Sequence, residues 1–308
     1  MGRSRKRSAN QLDGLLILNK PEGPTSAGCL TMIKRGLQQG KIGHAGTLDP
    51  MATGVLLVLL GHGTKLAPYL TEGRKTYSGE LELGTSTISY DRQGEIVEQK
   101  PFDHVTPEDV SKDILSWMEL TTQEVPPVSA AKHQGQPLYA LVRAGQEVPV
   151  KVKGIEIFHA EILETELPRV RFRATVSAGT YIRSLVHSLG IRLGCGAMLT
   201  ALTREHCHPF GLEHACDLET VLAEPERFPE RVIPLVDALP HWPKVVVSAE
   251  QADQVRNGTW LPVTQTPLAG ASGDMAMLTD PDRTPLALVE AKEQEDGSVS
   301  WSILRGLW

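Results

Sequence analysis

Asp49 is the side chain whose setting most invites chemistry. It closes the glycine-studded run Gly43-His44-Ala45-Gly46-Thr47-Leu48-Asp49 and precedes Pro50, which biases the backbone before it away from helix. A carboxylate held between that loop and the apolar run Val55 to Leu60 is positioned, not free. It can serve as a nucleophile, or it can accept amide hydrogens in an Asx-turn.

Other reactive side chains are scattered along the chain. Lys20 ends an apolar run, His44 sits in the glycine loop, and Tyr77 lies on an alternating segment. Arg183 stands beside Ser184, on the side of a helix away from its apolar stripe, where an arginine faces either solvent or a partner carboxylate. His206, Cys207, His208, His214 and Cys216 are the richest set of metal-ligating types, but they match neither C-x-x-C nor H-x-x-x-H spacing, so no metal is expected. Gly61-His62-Gly63-Thr64-Lys65 lacks the spacing of a phosphate-binding loop.

These residues need elements to hold them. Leu15 to Leu18 reads as a buried strand that stops at Asn19-Lys20-Pro21. A helix starts near Thr25, with Leu30, Ile33 and Leu37 at helical spacing, and ends between Gly36 and Gly40. From Tyr77 to Gly84 the odd positions share one face with Glu80 and Glu82 on the other, so Tyr77 points inward, where it either packs in the core or lines a site. Thr106-Pro107 caps a helix running to about Trp117. Val170 to Ser177 reads as a strand feeding a turn at Ala178-Gly179-Thr180 and a helix with Ile182, Leu185, Val186 and Leu189 on one side.

The prolines at 225, 229, 234, 240 and 243 suit an interdomain connector better than a packed element. Beyond them Val245 to Val247, Met275 to Leu278, Pro285 to Glu290 and Val299 to Leu304 read as strands. Ser248 and Gln251 form a capping box for a short helix closed by Asn257-Gly258.

The 308 residues, 41% hydrophobic, are enough to bury a core in one large domain or two unequal ones. The apolar run Val55 to Leu60 is far shorter than a membrane span needs, and Gly14 to Leu18 is too short for a signal peptide, so a cytoplasmic location is the default expectation. Four cysteines, widely spaced, do not form a disulfide framework. A formal charge of -6 excludes a uniformly basic nucleic-acid binder and leaves any phosphate affinity to local patches. The candidates are the basic tail with Arg3, Arg5, Lys6 and Arg7, and the clusters Lys34-Arg35, Arg74-Lys75 and Arg169-Arg171-Arg173.

The string from Gly43 through Asp49-Pro50-Met51-Ala52-Thr53-Gly54-Val55-Leu56 closely resembles the signature of the bacterial tRNA pseudouridine synthase B family, which acts on uridine 55. Four more motifs follow the family's order: Leu18-Asn19-Lys20-Pro21, Arg74-Lys75-Thr76-Tyr77, Pro126-Pro127-Val128-Ser129-Ala130 with Gly135 to Tyr139, and Gly179-Thr180-Tyr181-Ile182-Arg183-Ser184-Leu185. Chance agreement of several ordered motifs is far rarer than of one. The likeness covers residues 14 to 212 well and the C-terminal part weakly. Two segments depart from the pattern: Ile88 replaces an acid in Thr85-Ser86-Thr87-Ile88-Ser89-Tyr90-Asp91, and Leu202 to Phe210 is less basic than in the family.

The resemblance implies an α+β chain with the pseudouridine-synthase fold, whose central sheet is mixed and largely antiparallel. Residues 1-12 would be a basic flexible tail, 13-240 the catalytic domain with an RNA-gripping insertion at about 121-153, and 245-308 a small β-rich, PUA-like RNA-binding domain. It implies isomerisation of uridine 55 in the T-loop of tRNA without cofactor or metal, because base and ribose are parted and rejoined with no atoms lost. Asp49 would be the nucleophile, Arg183 its cation, and Tyr77 the ring that stacks on the base and takes the C5 proton. Tyr181 and Leu202 would line the pocket, His44 would fill the gap left by the flipped base, Lys20 would support the loop or a phosphate, and Asp91 would be a second acid. The expected partner is the tRNA T-arm, met by a monomer that needs neither membrane nor obligatory protein partner. The rival expectations are a dyskerin-like, guide-RNA-dependent synthase, a non-catalytic RNA-binding chaperone, and a glycoside hydrolase using Asp49 and Asp91.

Overall fold

The computed structural model describes residues 11–308. Its centre is a nine-stranded sheet whose main path runs, in space, Ile157–Glu166, Arg169–Val176, Lys75–Leu83, Ala197–Cys207, Thr53–Leu60, Gly14–Lys20 and Cys216–Asp217. Ile42–Ala45 pairs with Thr53–Leu60 off this path. Two pairings in the sheet are parallel, Ala197–Cys207 with Thr53–Leu60 and Gly14–Lys20 with Cys216–Asp217. The rest are antiparallel, so the sheet is mixed and largely antiparallel.

The middle strands carry apolar residues on both faces because both are covered. Leu16, Leu18, Leu56, Val58 and Leu60 pack with the helices Ser26–Gly36 and Ile182–Arg192 in one core, together with Trp117 and Phe172. Leu15, Ile17, Val55, Leu57 and Leu59 face a second core. The helix starts follow their caps. Thr25 Oγ1 accepts from the Gly28 amide, and Thr106 forms a capping box with Asp109 ahead of the helix Pro107–Ser116, which gives way to a 3-10 turn at Trp117–Glu119.

A separate five-stranded sheet follows, in the order Lys244–Val246, Met275–Thr279, Pro285–Glu293, Val299–Gly306 and Leu261–Pro262, with the helix Ala249–Arg256 behind its own Ser248 capping box. The proline-rich stretch before it differs from the connector expected. Leu235, Ala238, Leu239 and Trp242 are buried in the second core, with residues of the first sheet, Met277 and Leu288 of the other, and Leu307 just past its last strand. Proline stops regular pairing there, but the residues between prolines are large and apolar, and burial of that surface holds the stretch in place.

Most of the basic tail lies outside the described residues; Leu12, at its end, is fixed by two hydrogen bonds with Gln39. No helix among the described residues is long and apolar enough to cross a membrane. The Arg169-Arg171-Arg173 cluster is not a free positive face: Arg169 pairs with Glu82, Arg171 with Glu164, and Arg173 with Glu161 and Glu205. Lys75 also differs from expectation. It is buried, and its ammonium donates to the carbonyls of Thr71 and Gly73.

Candidate active site

The Asp49 loop is braced from below before it presents anything to solvent. Leu48, Met51 and Ala52 are buried, and Ser26 Oγ both donates to the Leu48 carbonyl at 3.0 Å and accepts the Leu48 amide at 2.9 Å. Lys20 is wholly buried, and its Nζ donates to the carbonyls of Ala52 at 2.7 Å, Pro21 at 2.8 Å and Pro50 at 3.2 Å. Burial lowers its pKa, with Cys29 and Asp49 pulling the other way. Of its two expected uses, loop support is the one these contacts satisfy, since three carbonyls occupy the three donors of an ammonium.

Arg183 faces Asp49 across the loop. Its Nε lies 2.9 Å from Asp49 Oδ2 and its Nη2 3.3 Å from Oδ1, the two-pronged match of guanidinium to carboxylate. Nη1 donates to the carbonyls of Ser89 at 2.8 Å and Val128 at 3.0 Å. Asp91 Oδ2 stands 3.6 Å from Nε on the other side, while Asp91 Oδ1 accepts from Ser89 Oγ at 2.6 Å and the Gln93 amide at 3.0 Å.

The two carboxylates are unequal. The Asp49 side chain is 37% accessible and that of Asp91 6%. Asp91 is therefore a buried counter-charge, and Asp49 is the one a substrate can reach. Arg183 itself is buried, with Ser184, which corrects the placement of both on an exposed helix face. The cause is tertiary: the strand Thr122–Glu124 covers that side. Ser184 Oγ donates to the Glu124 carbonyl, and Gln123 exchanges two hydrogen bonds with the Tyr181 backbone.

Tyr77, Tyr181 and Leu202 join Asp49 and Arg183 around one small cleft, with Thr47 and Ile182. Tyr77 is nearly buried, and that burial raises its phenol pKa while Arg204 opposes the rise. At neutral pH its hydroxyl is therefore a neutral phenol. Leu202, also buried, gives the cleft an apolar wall. His44 is not in the lining. It sits on Ile42–Ala45, half-buried, its Nδ1 buried with no hydrogen-bond partner among the described residues, and burial and then Arg204 lower its pKa.

Arg204 is the functional residue that sequence reasoning passed over. It is 1% exposed, and its Nε donates to the Val55 carbonyl at 2.7 Å and its Nη2 to the Gly46 carbonyl at 2.9 Å. One glycine of the motif is required by it, and a second lies against it. A Cβ on Gly54, whose φ is +99°, would lie 2.3 Å from the Arg204 carbonyl oxygen, and Gly46, at φ +81°, sits beside the guanidinium. The available signal was alternation, since Arg204 occupies the same inward register as Leu202. Of the metal-ligating run, His206 stacks on His208 while Cys207 packs into the second core. No group of three or more His, Cys, Asp or Glu side chains among the described residues could hold a metal ion.

This sheet, with its accessible aspartate locked onto a buried arginine, is that of a pseudouridine synthase. The fold matches a chain of an H/ACA RNP bound to a substrate RNA containing 2'-deoxyuridine at TM-score 0.70 and 24% identity, over 96% of this chain and 85% of that one. The TruB family pseudouridylate synthase N-terminal domain matches residues 34–182. The tRNA pseudouridine synthase B of Nitratidesulfovibrio vulgaris (strain Miyazaki F) is 57% identical over 97% of both chains, and that of Bacillus licheniformis 39% identical over 88% of both. The chain belongs to the tRNA pseudouridine synthase B family.

Proposed function

We propose that the protein converts uridine 55 in the T-loop of tRNA to pseudouridine, with Asp49 as nucleophile and no cofactor. The reaction breaks the N1 to C1' bond, forms a C5 to C1' bond, removes the C5 proton and leaves a proton on N1, so atoms balance without an external reagent. An ionised Asp49 meets the nucleoside at C6, at C1' or at the C2' hydrogen, three routes with the same first requirement. The observation that carries the reading is the Arg183 fork on the accessible Asp49, backed by buried Asp91. A guanidinium so placed holds both oxygens of the carboxylate at the position the substrate must reach.

A stacked uridine must leave its loop to reach this cleft. Tyr77 stacks on the everted base, and its neutral hydroxyl takes the C5 proton only as it passes its own proton on to solvent or to a group beside it. Tyr181 and Leu202 bound the base, and His44, neutral and on a separate strand, fills the vacated stack. The segment 121-153 grips the T-arm and the unit 245-308 serves as a PUA-like RNA-binding domain. The enzyme works as a cytoplasmic monomer without a protein partner.

The test is to incubate the purified chain alone with unmodified tRNA and map pseudouridine. Product at the T-loop uridine is expected, and Asp49→Asn should lose it by about a thousandfold or more while tRNA binding stays within a few fold. Dependence on added guide RNA and partner proteins would favour the dyskerin-like alternative, and binding without turnover the chaperone. Unchanged proteolysis of 121-153 in the presence of tRNA would remove its gripping role.

A further inference from the structure

Four residues beyond Arg183 on the same helix, His187 lies flat against Tyr90, with ring centroids 3.7 Å apart and planes within 7°. Tyr90 has a backbone φ of 66°, a left-handed conformation that an L residue with a bulky side chain resists. Something must hold it there. Its neighbours in sequence, Ser89 and Asp91, supply a carbonyl and a carboxylate to Arg183. The strained residue therefore sits at the middle of the turn that orients the guanidinium.

The backbone of the turn is tied by the Tyr90 amide to the Thr87 carbonyl at 3.2 Å and by the Leu199 amide to the Tyr90 carbonyl at 3.1 Å. The side chain has less support. Both rings border a cavity of about 340 Å³ shared with Gln123, Glu124 and Ile191, so ring-on-ring contact, not dense packing, restrains them. His187 Nδ1 is buried with no hydrogen-bond partner among the described residues. Burial lowers the pKa of His187 against the opposing pull of Glu124, so the ring stacks without placing a second cation near Arg183.

We propose that Tyr90 and His187 are positioning residues: their stack locks the turn at Ser89 to Asp91 so that Arg183 is held against Asp49. This rests on the roles given to Asp49 and Arg183 above. Neither ring lines the cleft that holds Asp49, so both act through the arginine.

The experiment is single-turnover pseudouridine formation and tRNA affinity for Tyr90→Gly, Tyr90→Phe and His187→Phe, each assayed well below its own melting temperature. Glycine adopts positive φ without strain, so Tyr90→Gly removes the ring while easing the backbone. Its rate constant should fall by about fivefold or more with tRNA affinity within about twofold, while both phenylalanine variants, which keep a ring in the stack, stay within about twofold of the parent. A smaller loss in Tyr90→Gly, or a loss of the same size in Tyr90→Phe, overturns the proposal. Asp49→Asn is run beside them; if it still turns over, the nucleophile assignment has failed, and not the clamp alone.

Discussion

Arginine is used in opposite ways in two regions of this molecule. On the strand Arg169–Val176, one in from the edge of the sheet, Arg169 and Arg171 are exposed and meet glutamates that water still reaches. At the cleft, Arg183 and Arg204 are almost wholly enclosed, and their donors reach the carbonyls of Ser89, Val128, Val55 and Gly46 and the Asp49 carboxylate. Exposed pairs gain little because water screens them, whereas an enclosed guanidinium that loses its partners is costly. The difference teaches that charge count says little here. What matters is which cations the fold removes from water and aims at the backbone around Asp49.

Replacing the enclosed arginines is the sharpest way to break that contrast. Arg183→Met leaves Asp91 buried without its cation and Asp49 without its fork. We expect a loss of about 3–5 kcal/mol by urea denaturation and a fall in turnover of about a hundredfold or more. Arg204→Met leaves the Gly46 and Val55 carbonyls unpaired. We expect about 3 kcal/mol of destabilisation and a roughly tenfold slower reaction, from a displaced Asp49 loop rather than a lost reacting group.

The burial of His44, reinforced by Arg204, gives a smaller effect with a definite sign. The His44 pKa is lowered from its ordinary 6.5, so below that value the unfolded chain binds a proton that the folded one resists. The stabilisation is complete above pH 6.5 and lost as pH falls toward the folded value. Melting temperatures measured from pH 8 to pH 5 should fall on the acid side, and less steeply in His44→Gln. The slope will not vanish, because burial lowers His187, His208 and His241 in the same direction. At the bottom of the scale, Arg171→Ala should leave melting temperature and activity unchanged within error. A large loss there would dissolve the contrast between exposed and enclosed arginines.

The Lys20 brace and the Lys75 anchor teach the same lesson from lysines. Each looks like a surface cation in the sequence, and each ends with its ammonium among backbone carbonyls. Loop carbonyls crowded into an apolar interior need donors, and a nearby lysine supplies them.

By itself the sequence determined what local physics can determine. The caps at Thr25, Thr106 and Ser248, the alternation that turns Tyr77 inward, the strands after Pro243 and the ordered family motifs all appear where their residues place them. These depend on neighbours within a few positions. Tertiary structure alone decided that Arg183 is buried, that Arg204 braces the glycine loop, that Arg169 and Arg171 are neutralised and that the proline-rich stretch is packed. Each of these depends on which other segment comes to lie against the residue, and pairings such as Arg183 with Asp49, 134 positions apart, or Arg204 with Val55, 149 apart, leave no periodic trace in either segment.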